Sequence, residues 1–348
     1  MALALGSGGA RGYAHIGAVQ VIEERGLEIV NIAGSSMGAV VGGLHAAGKL
    51  DAYTSWVRSL RQRDVVRLLD LSLSAPGAIR GDKVVARVRE LLDGARIEDL
   101  PIPFTAVATD LFARKEVWFQ RGPVDAAIRA SIAIPGVITP VVINGRLLAD
   151  GGVTNPVPIA PTSSAQADVT VAVSLAGESS TRPSLGGAPV KETADPRPME
   201  EWADRFRAGA TQLLDTDMIR SLRGRFGTVV TAGAGDGAGS ARVAVEELPP
   251  VVDDAVLDAA VVGDAAVDDA VDAPGTLPPG MGKFDMMYHS IDAMQSVLIR
   301  YRLAGYPPDV LVDVPRDACR SLDFHRADEM IALGRALTDE ALDRAGVT

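Results

Sequence analysis

Ala2-Leu3-Ala4-Leu5 runs directly into Gly6-Ser7-Gly8-Gly9-Ala10-Arg11-Gly12, and Glu28–Ala33 runs into Gly34-Ser35-Ser36-Met37-Gly38. Each time, an apolar stretch of strand length ends in a small-residue corner and a helical pattern follows. Tyr13 to Arg25 carries Ile16, Val19 and Ile22 at helical spacing, with Gly26 as a stop. Met37 to Ala47 is a second helix, rich in small residues. Strand, tight turn and helix, repeated, is the pattern of a parallel sheet covered by helices, so the chain reads as α/β.

The rest of the chain extends this pattern and then departs from it. Residues 51–100 are amphipathic and helical in pattern, as in Val84–Leu92. Strands are predicted at Phe104–Ala108, Glu116–Gln120, Pro140–Ile143, Arg146–Ala149 and Val169–Leu175. Pro123 suits the first turn of a helix over Val124–Ala130, which must end before Pro135. From about Gly177 the composition shifts to Ser, Thr, Pro and Gly, and residues 232–280 are biased toward Ala, Val, Gly and Asp. Asp253–Asp272 holds seven Asp and no Lys or Arg, without the alternating ligand spacing of a calcium loop. That composition predicts a solvated, partly disordered insertion. Order is expected to return with a helix from Lys283 through Tyr301, a strand at Val310–Val314 and a last helix from about Arg326. Three parts follow: a core over 1–176, an insertion over 177–282, and a C-terminal helix-strand-helix over 283–348 that packs back on the core.

Composition narrows the function. The 348 residues carry 34 Lys and Arg against 45 Asp and Glu, a net charge of −11, which argues against a nucleic-acid surface. One cysteine, Cys319, excludes an internal disulfide and any Cys-based structural zinc site. The N-terminus has no basic segment ahead of its short apolar run, so no signal peptide is expected. No run approaches the roughly 18 apolar residues of a membrane-spanning helix, so the expected location is cytoplasmic.

Three clusters carry chemistry. A serine in Gly34-x-Ser36-x-Gly38, on a corner between strand and helix, projects its hydroxyl clear of the backbone, and the next helix favours negative charge there. The Gly6–Gly12 corner lets several backbone N–H groups converge, as an oxyanion hole or as the phosphate-binding turn of a nucleotide site. The dinucleotide fingerprint fails in phase, because Arg11 stands where its last Gly belongs, and no Lys-Ser/Thr follows for a P-loop. Asp150, in Leu148-Ala149-Asp150-Gly151-Gly152, is a carboxylate at a strand end ahead of a tight turn. A serine hydroxyl needs a proton acceptor during attack, and a carboxylate in an apolar setting supplies one. His289 and His325 follow Asp150 and keep a Ser-Asp-His triad open, whereas His15 and His45 read as packing residues on their helices.

These clusters, in this order, resemble the patatin-like phospholipase family. Gly8-Gly9-Ala10-Arg11-Gly12 matches its glycine loop with a basic residue before the last Gly, although Ser7 stands where the family commonly has Gly. Gly34-Ser35-Ser36-Met37-Gly38 matches its nucleophile motif and Asp150-Gly151-Gly152 its Asp-Gly-Gly/Ala turn. Ala130-Ser131-Ile132-Ala133-Ile134-Pro135-Gly136-Val137 is similar to the family's alanine-to-proline segment. Pro307–Leu311 and Leu322-Asp323-Phe324 resemble the tails of bacterial members. The resemblance implies a three-layer α/β/α sandwich with a mostly parallel central sheet. It implies a Ser–Asp dyad that hydrolyses lipid acyl esters without a cofactor or metal. Ser36 would be the nucleophile and Asp150 its proton acceptor. The Gly8, Gly9 and Ala10 amides would hold the oxyanion, and Arg11 and Gly12 would support the loop or a substrate phosphate. Peripheral contact with a membrane surface is an expectation from that substrate class.

Overall fold

The computed structural model describes residues 1–68, 82–178 and 283–347. The strands are β1 (Ala2–Leu5), β2 (Asn31–Ser35), β3 (Phe104–Asp110), β4 (Lys115–Phe119), β5 (Val141–Ile143), β6 (Arg146–Asp150), β7 (Thr170–Gly177) and β8 (Val310–Pro315). The helices are α1 (Ala14–Glu24), α2 (Met37–Ala46), α3 (Leu50–Ser59), α4 (Gln62–Leu68), α5 (Asp82–Leu92), α6 (Val124–Ser131), α7 (Lys283–Gly305) and α8 (Ala327–Ala345). The expected insertion over 177–282, including its acidic run, lies outside the described residues from 179 onward, as does the stretch 69–81. Among the described residues, no helix is long and apolar enough to cross a membrane.

All the strands form one mostly parallel sheet. Followed through hydrogen-bonded neighbours it runs β5-β6-β3-β2-β1-β7-β8, with β4 also on β3. β1 pairs in parallel with β2 and β7, β2 with β3, and β7 with β8; β4 and β6 meet β3, and β5 meets β6, antiparallel. Side chains on a strand alternate between faces, and here the alternation divides the core. Leu3, Leu5, Val171 and Val173 join one large cluster with residues of α1, α2, α6 and α8, whereas Ala4 and Ala172 face Val157, Ile159 and Ile299 of α7. Helices thus cover both faces, in the α/β/α layering the sequence suggested.

β8 extends the sheet beyond β7, and α8 lies along α1. Arg25 pairs with Asp339 and Asp343, and Arg335 with Glu24. Such exposed pairs contribute little, so the contact rests mainly on buried Ile16, Ile22, Met330, Ile331 and Leu342.

Most element bounds shift by one or two residues from those the sequence predicts, and the shifts in β2 and α7 bear on the site. β2 begins at Asn31 because its parallel register starts where β1 starts, with Ala2 opposite Asn31. It then runs through Gly34 and Ser35, which pair with Leu5 and with Ala106 and Val107. Local turn chemistry there yields to the sheet, and the strand is extended to the last residue before Ser36. α7 continues past Tyr301 to Gly305, and Arg302 in its last turn reaches the Thr154 carbonyl and Glu116.

Candidate active site

Ser36 sits at the corner between β2 and α2 with φ 56 and ψ −120, a conformation that L residues rarely adopt. The corner is tight enough to exclude side chains on either side. A β-carbon at Gly34 would lie 2.3 Å from the Gly38 carbonyl oxygen, and one at Gly38 would lie 2.1 Å from that of Leu5.

The strand pairing brings Asp150 to the same point. Ala106 and Val107 pair with both β2 and β4, while Ala108 to Asp110 pair with both β4 and β6. A strand has only two edges, so β2 and β6 lie end to end along one edge of β3. They approach from opposite directions, β2 ending at Ser35 opposite Val107 and β6 ending at Asp150 opposite Ala108. Because β2 runs parallel and β6 antiparallel to β3, the two strand ends are turned toward each other.

Ser36 Oγ donates to Asp150 Oδ2 at 2.5 Å, and Gly152 N donates to Asp150 Oδ1 at 2.7 Å. Gly151 opens the 3-10 turn that follows. The Asp150 backbone is fixed as well: its N–H donates to Ala133 O at 2.8 Å, and its carbonyl accepts from Thr109 Oγ1 at 2.8 Å. Both Ser36 and Asp150 are buried. Burial penalises the ionised carboxylate and pushes the Asp150 pKa up to about 7, against the Ser36 and Gly152 hydrogen bonds, which pull it down.

The glycine corner folds beside this pair as a 3-10 turn over Gly9–Tyr13, with Gly12 against Met37, the first residue of α2. Its amides are not equivalent. Those of Gly6, Ser7 and Ala10 donate to the carbonyls of Val173, Pro156 and Ser321 at 3.0, 2.8 and 2.9 Å. Of the three amides expected at an oxyanion, Ala10 is therefore committed to the backbone, which leaves Gly8 and Gly9. Three occupied amides also argue against a continuous phosphate cradle, the requirement of the nucleotide reading.

A family model described as patatin-like phospholipase matches residues 3–162, a stretch that includes the glycine corner, Ser36 and Asp150. An NTE family protein of Mycobacterium tuberculosis is 50% identical over 344 residues, covering 99% of this chain and 91% of the relative. The chain belongs to the patatin-like phospholipase family. A counterpart in Mycobacterium bovis shows the same identity and coverage. Patatin-like phospholipase domain-containing protein 6 of the mouse is 29% identical over 188 residues, 52% of this chain but 14% of its own length. Membership implies a lipid acyl hydrolase.

Within this patatin-like site, Arg11 is turned inward. Its Nε donates to Gly8 O at 3.3 Å and an Nη to Arg316 O at 2.6 Å, with Asp292 of α7 3.9 Å away. A buried guanidinium spent on two carbonyls braces the corner, so of the two roles set out for Arg11 the geometry favours loop support. His15, also buried, has Nε2 2.8 Å from Gly6 O, and burial pushes its pKa down to about 4. It is a neutral packing residue. His45 lies 3.7 Å from Glu23 and His325 is exposed; neither is a hydrogen-bond partner of Ser36 or Asp150. The side chain of His289 lies outside the described residues.

Two contributors to the site escape a reading of the sequence. Ser131, the last residue of α6, accepts the Ser36 N–H on its Oγ at 2.8 Å and donates to Val107 O at 2.6 Å. It ties the strained corner to β3. The resemblance of Ala130–Val137 to a family segment marks the stretch, but nothing in it points to the partners of this hydroxyl. Ser321 contributes through its carbonyl, and a backbone group leaves no side-chain pattern to find. Ser131→Ala leaves a buried amide and a buried carbonyl unpaired, at about 1–3 kcal/mol each. Steady-state kinetics are expected to show kcat reduced about ten- to a hundred-fold with KM little changed.

Proposed function

We propose that this protein is a serine hydrolase of lipid acyl esters, phospholipid or lysophospholipid, working through a Ser36–Asp150 dyad. The observation that carries the reading is the 2.5 Å hydrogen bond from Ser36 Oγ to a buried carboxylate whose pKa stands at about 7. A base poised near neutral pH takes up a proton during attack and still gives it back.

Ser36 Oγ attacks the ester carbonyl carbon and its proton passes to Asp150 Oδ2. The carbonyl oxygen becomes an oxyanion stabilised by the Gly8 and Gly9 amides, with the N-terminal end of α2 adding positive potential. Collapse breaks the bond to the leaving alcohol, which takes the proton from Asp150, and the acyl group stays on Ser36. Water then attacks this acyl-enzyme, giving its proton to Asp150. A second collapse returns the proton to Ser36 Oγ and releases the carboxylic acid. No imidazole is needed, because one carboxylate handles the proton in both halves.

The pH dependence tests this. Asp150 acts only when ionised, so kcat/KM for fatty-acid release should level off above pH 7 and fall about tenfold per unit below it. A titration of initial rates between pH 5 and 9 reads this directly. A rate unchanged between pH 5 and 8 would remove Asp150 as the base.

A further inference from the structure

We infer that the paired hairpin tips β3–β4 and β5–β6 form a docking surface for an anionic lipid bilayer. The choice of a bilayer as occupant rests on the reading of the site as one for lipid esters. The placement itself comes from the sheet. Asp150 lies opposite Ala108, and β3 runs on past that row to Asp110, where it turns back with Lys115 opposite Asp110. β6 begins at Arg146, opposite Ile143, so the β5–β6 turn at Asn144 and Gly145 also lies past the Asp110 row. At about 3.3 Å per residue, both tips project roughly 10 Å beyond the Ser36–Asp150 pair, at the end of the sheet that carries the site.

What these tips display suits a bilayer. Phe112 is 81% exposed and Val142 is 70% exposed, the two most exposed large apolar side chains of the described residues. Around them Arg114, Lys115 and Arg146 are all exposed. The acidic groups facing them are already engaged. Asp110 is buried, accepts the Phe112 and Ala113 amides at 3.1 and 2.9 Å, and lies 3.9 Å from Arg146. Glu116 accepts from Trp118 and Asn155 and pairs with Arg302 of α7 at 3.2 Å. The tips are therefore basic on a chain whose net charge is −11. An exposed aromatic ring at the apex of a cationic loop gains from insertion among acyl chains while its cations meet headgroup phosphates. Two short, hydrogen-bonded hairpins hold it there before contact, so docking orders little new chain.

The test is sedimentation of the full chain with vesicles of phosphatidylcholine and phosphatidylglycerol, and with phosphatidylcholine alone. Binding is expected to the mixed vesicles, weaker to phosphatidylcholine, and weaker in high salt. Phe112→Glu should lower partitioning about tenfold or more. Arg114→Ala and Lys115→Ala should each lower it about fivefold. All three should cleave a soluble short-chain ester as the parent does, which also reports an intact fold. Parent protein that ignores both vesicles, or variants that bind as well as the parent, would overturn the inference. Binding through the tips without fatty-acid release would defeat the esterase reading and leave this one standing. Cleavage of the soluble ester by a chain that ignores vesicles would do the reverse.

Discussion

Ser36→Ala is expected to lower kcat for a lipid acyl ester by about 10⁶-fold, the size of effect that follows loss of a serine nucleophile. The substitution removes one buried oxygen and leaves the Ser36 amide on Ser131, so the fold should be little disturbed. Asp150 Oδ2 loses its hydroxyl donor, and since that hydrogen bond lowers the Asp150 pKa, the carboxyl should titrate higher in the variant. Fatty-acid release from a lipid extract, compared between parent and variant by mass spectrometry, checks the loss and identifies the substrate class. Retained release would place the nucleophile elsewhere.

Asp150→Asn should cost about 10⁴-fold in kcat while preserving geometry. The amide keeps an oxygen for the Gly152 N–H and presents its nitrogen to Ser36 Oγ, so the corner stays hydrogen-bonded but the proton has no acceptor. The same change should stabilise the protein at alkaline pH. Folding raises the Asp150 pKa from 3.8 to about 7, so the folded state holds the proton more tightly than the unfolded chain. That contribution is fully present below pH 4 and is lost as pH rises through 7, where the buried group must ionise. Asn removes this cost. Thermal melts at pH 8 should therefore show a higher Tm for the variant, with the difference shrinking as pH falls toward 4. Lower stability at pH 8 together with full activity would contradict both halves of the argument.

Much of this arrangement was legible from residue types, because its chemistry depends on side chains at corners. The Gly34–Gly38 corner announces itself since only glycine tolerates the approach of Leu5 and Gly38, and Asp150 announces itself as an acid between an apolar strand and two glycines. The contacts that aim these groups were less visible. β2 carries a Gly-Ser pair that reads locally as a turn, and only its two neighbouring strands draw it into the sheet. The end-to-end meeting of β2 and β6 on one edge of β3 is a property of register, which no local pattern encodes. Ser131 acts through one hydroxyl between two backbone groups, and Ser321 through a carbonyl that occupies the Ala10 amide. Arg11 was legible as important but not as inward-facing, since the Arg316 carbonyl that holds it lies far along the chain.

Covalent labelling addresses the Ser36–Asp150 dyad most directly. The full chain is treated with a fluorophosphonate, digested, and mapped by peptide mass spectrometry. One adduct is expected, on Ser36, absent in Ser36→Ala and formed far more slowly in Asp150→Asn. Label on a different residue, or lipid-ester hydrolysis that continues undiminished with Ser36 unmodified, would contradict it.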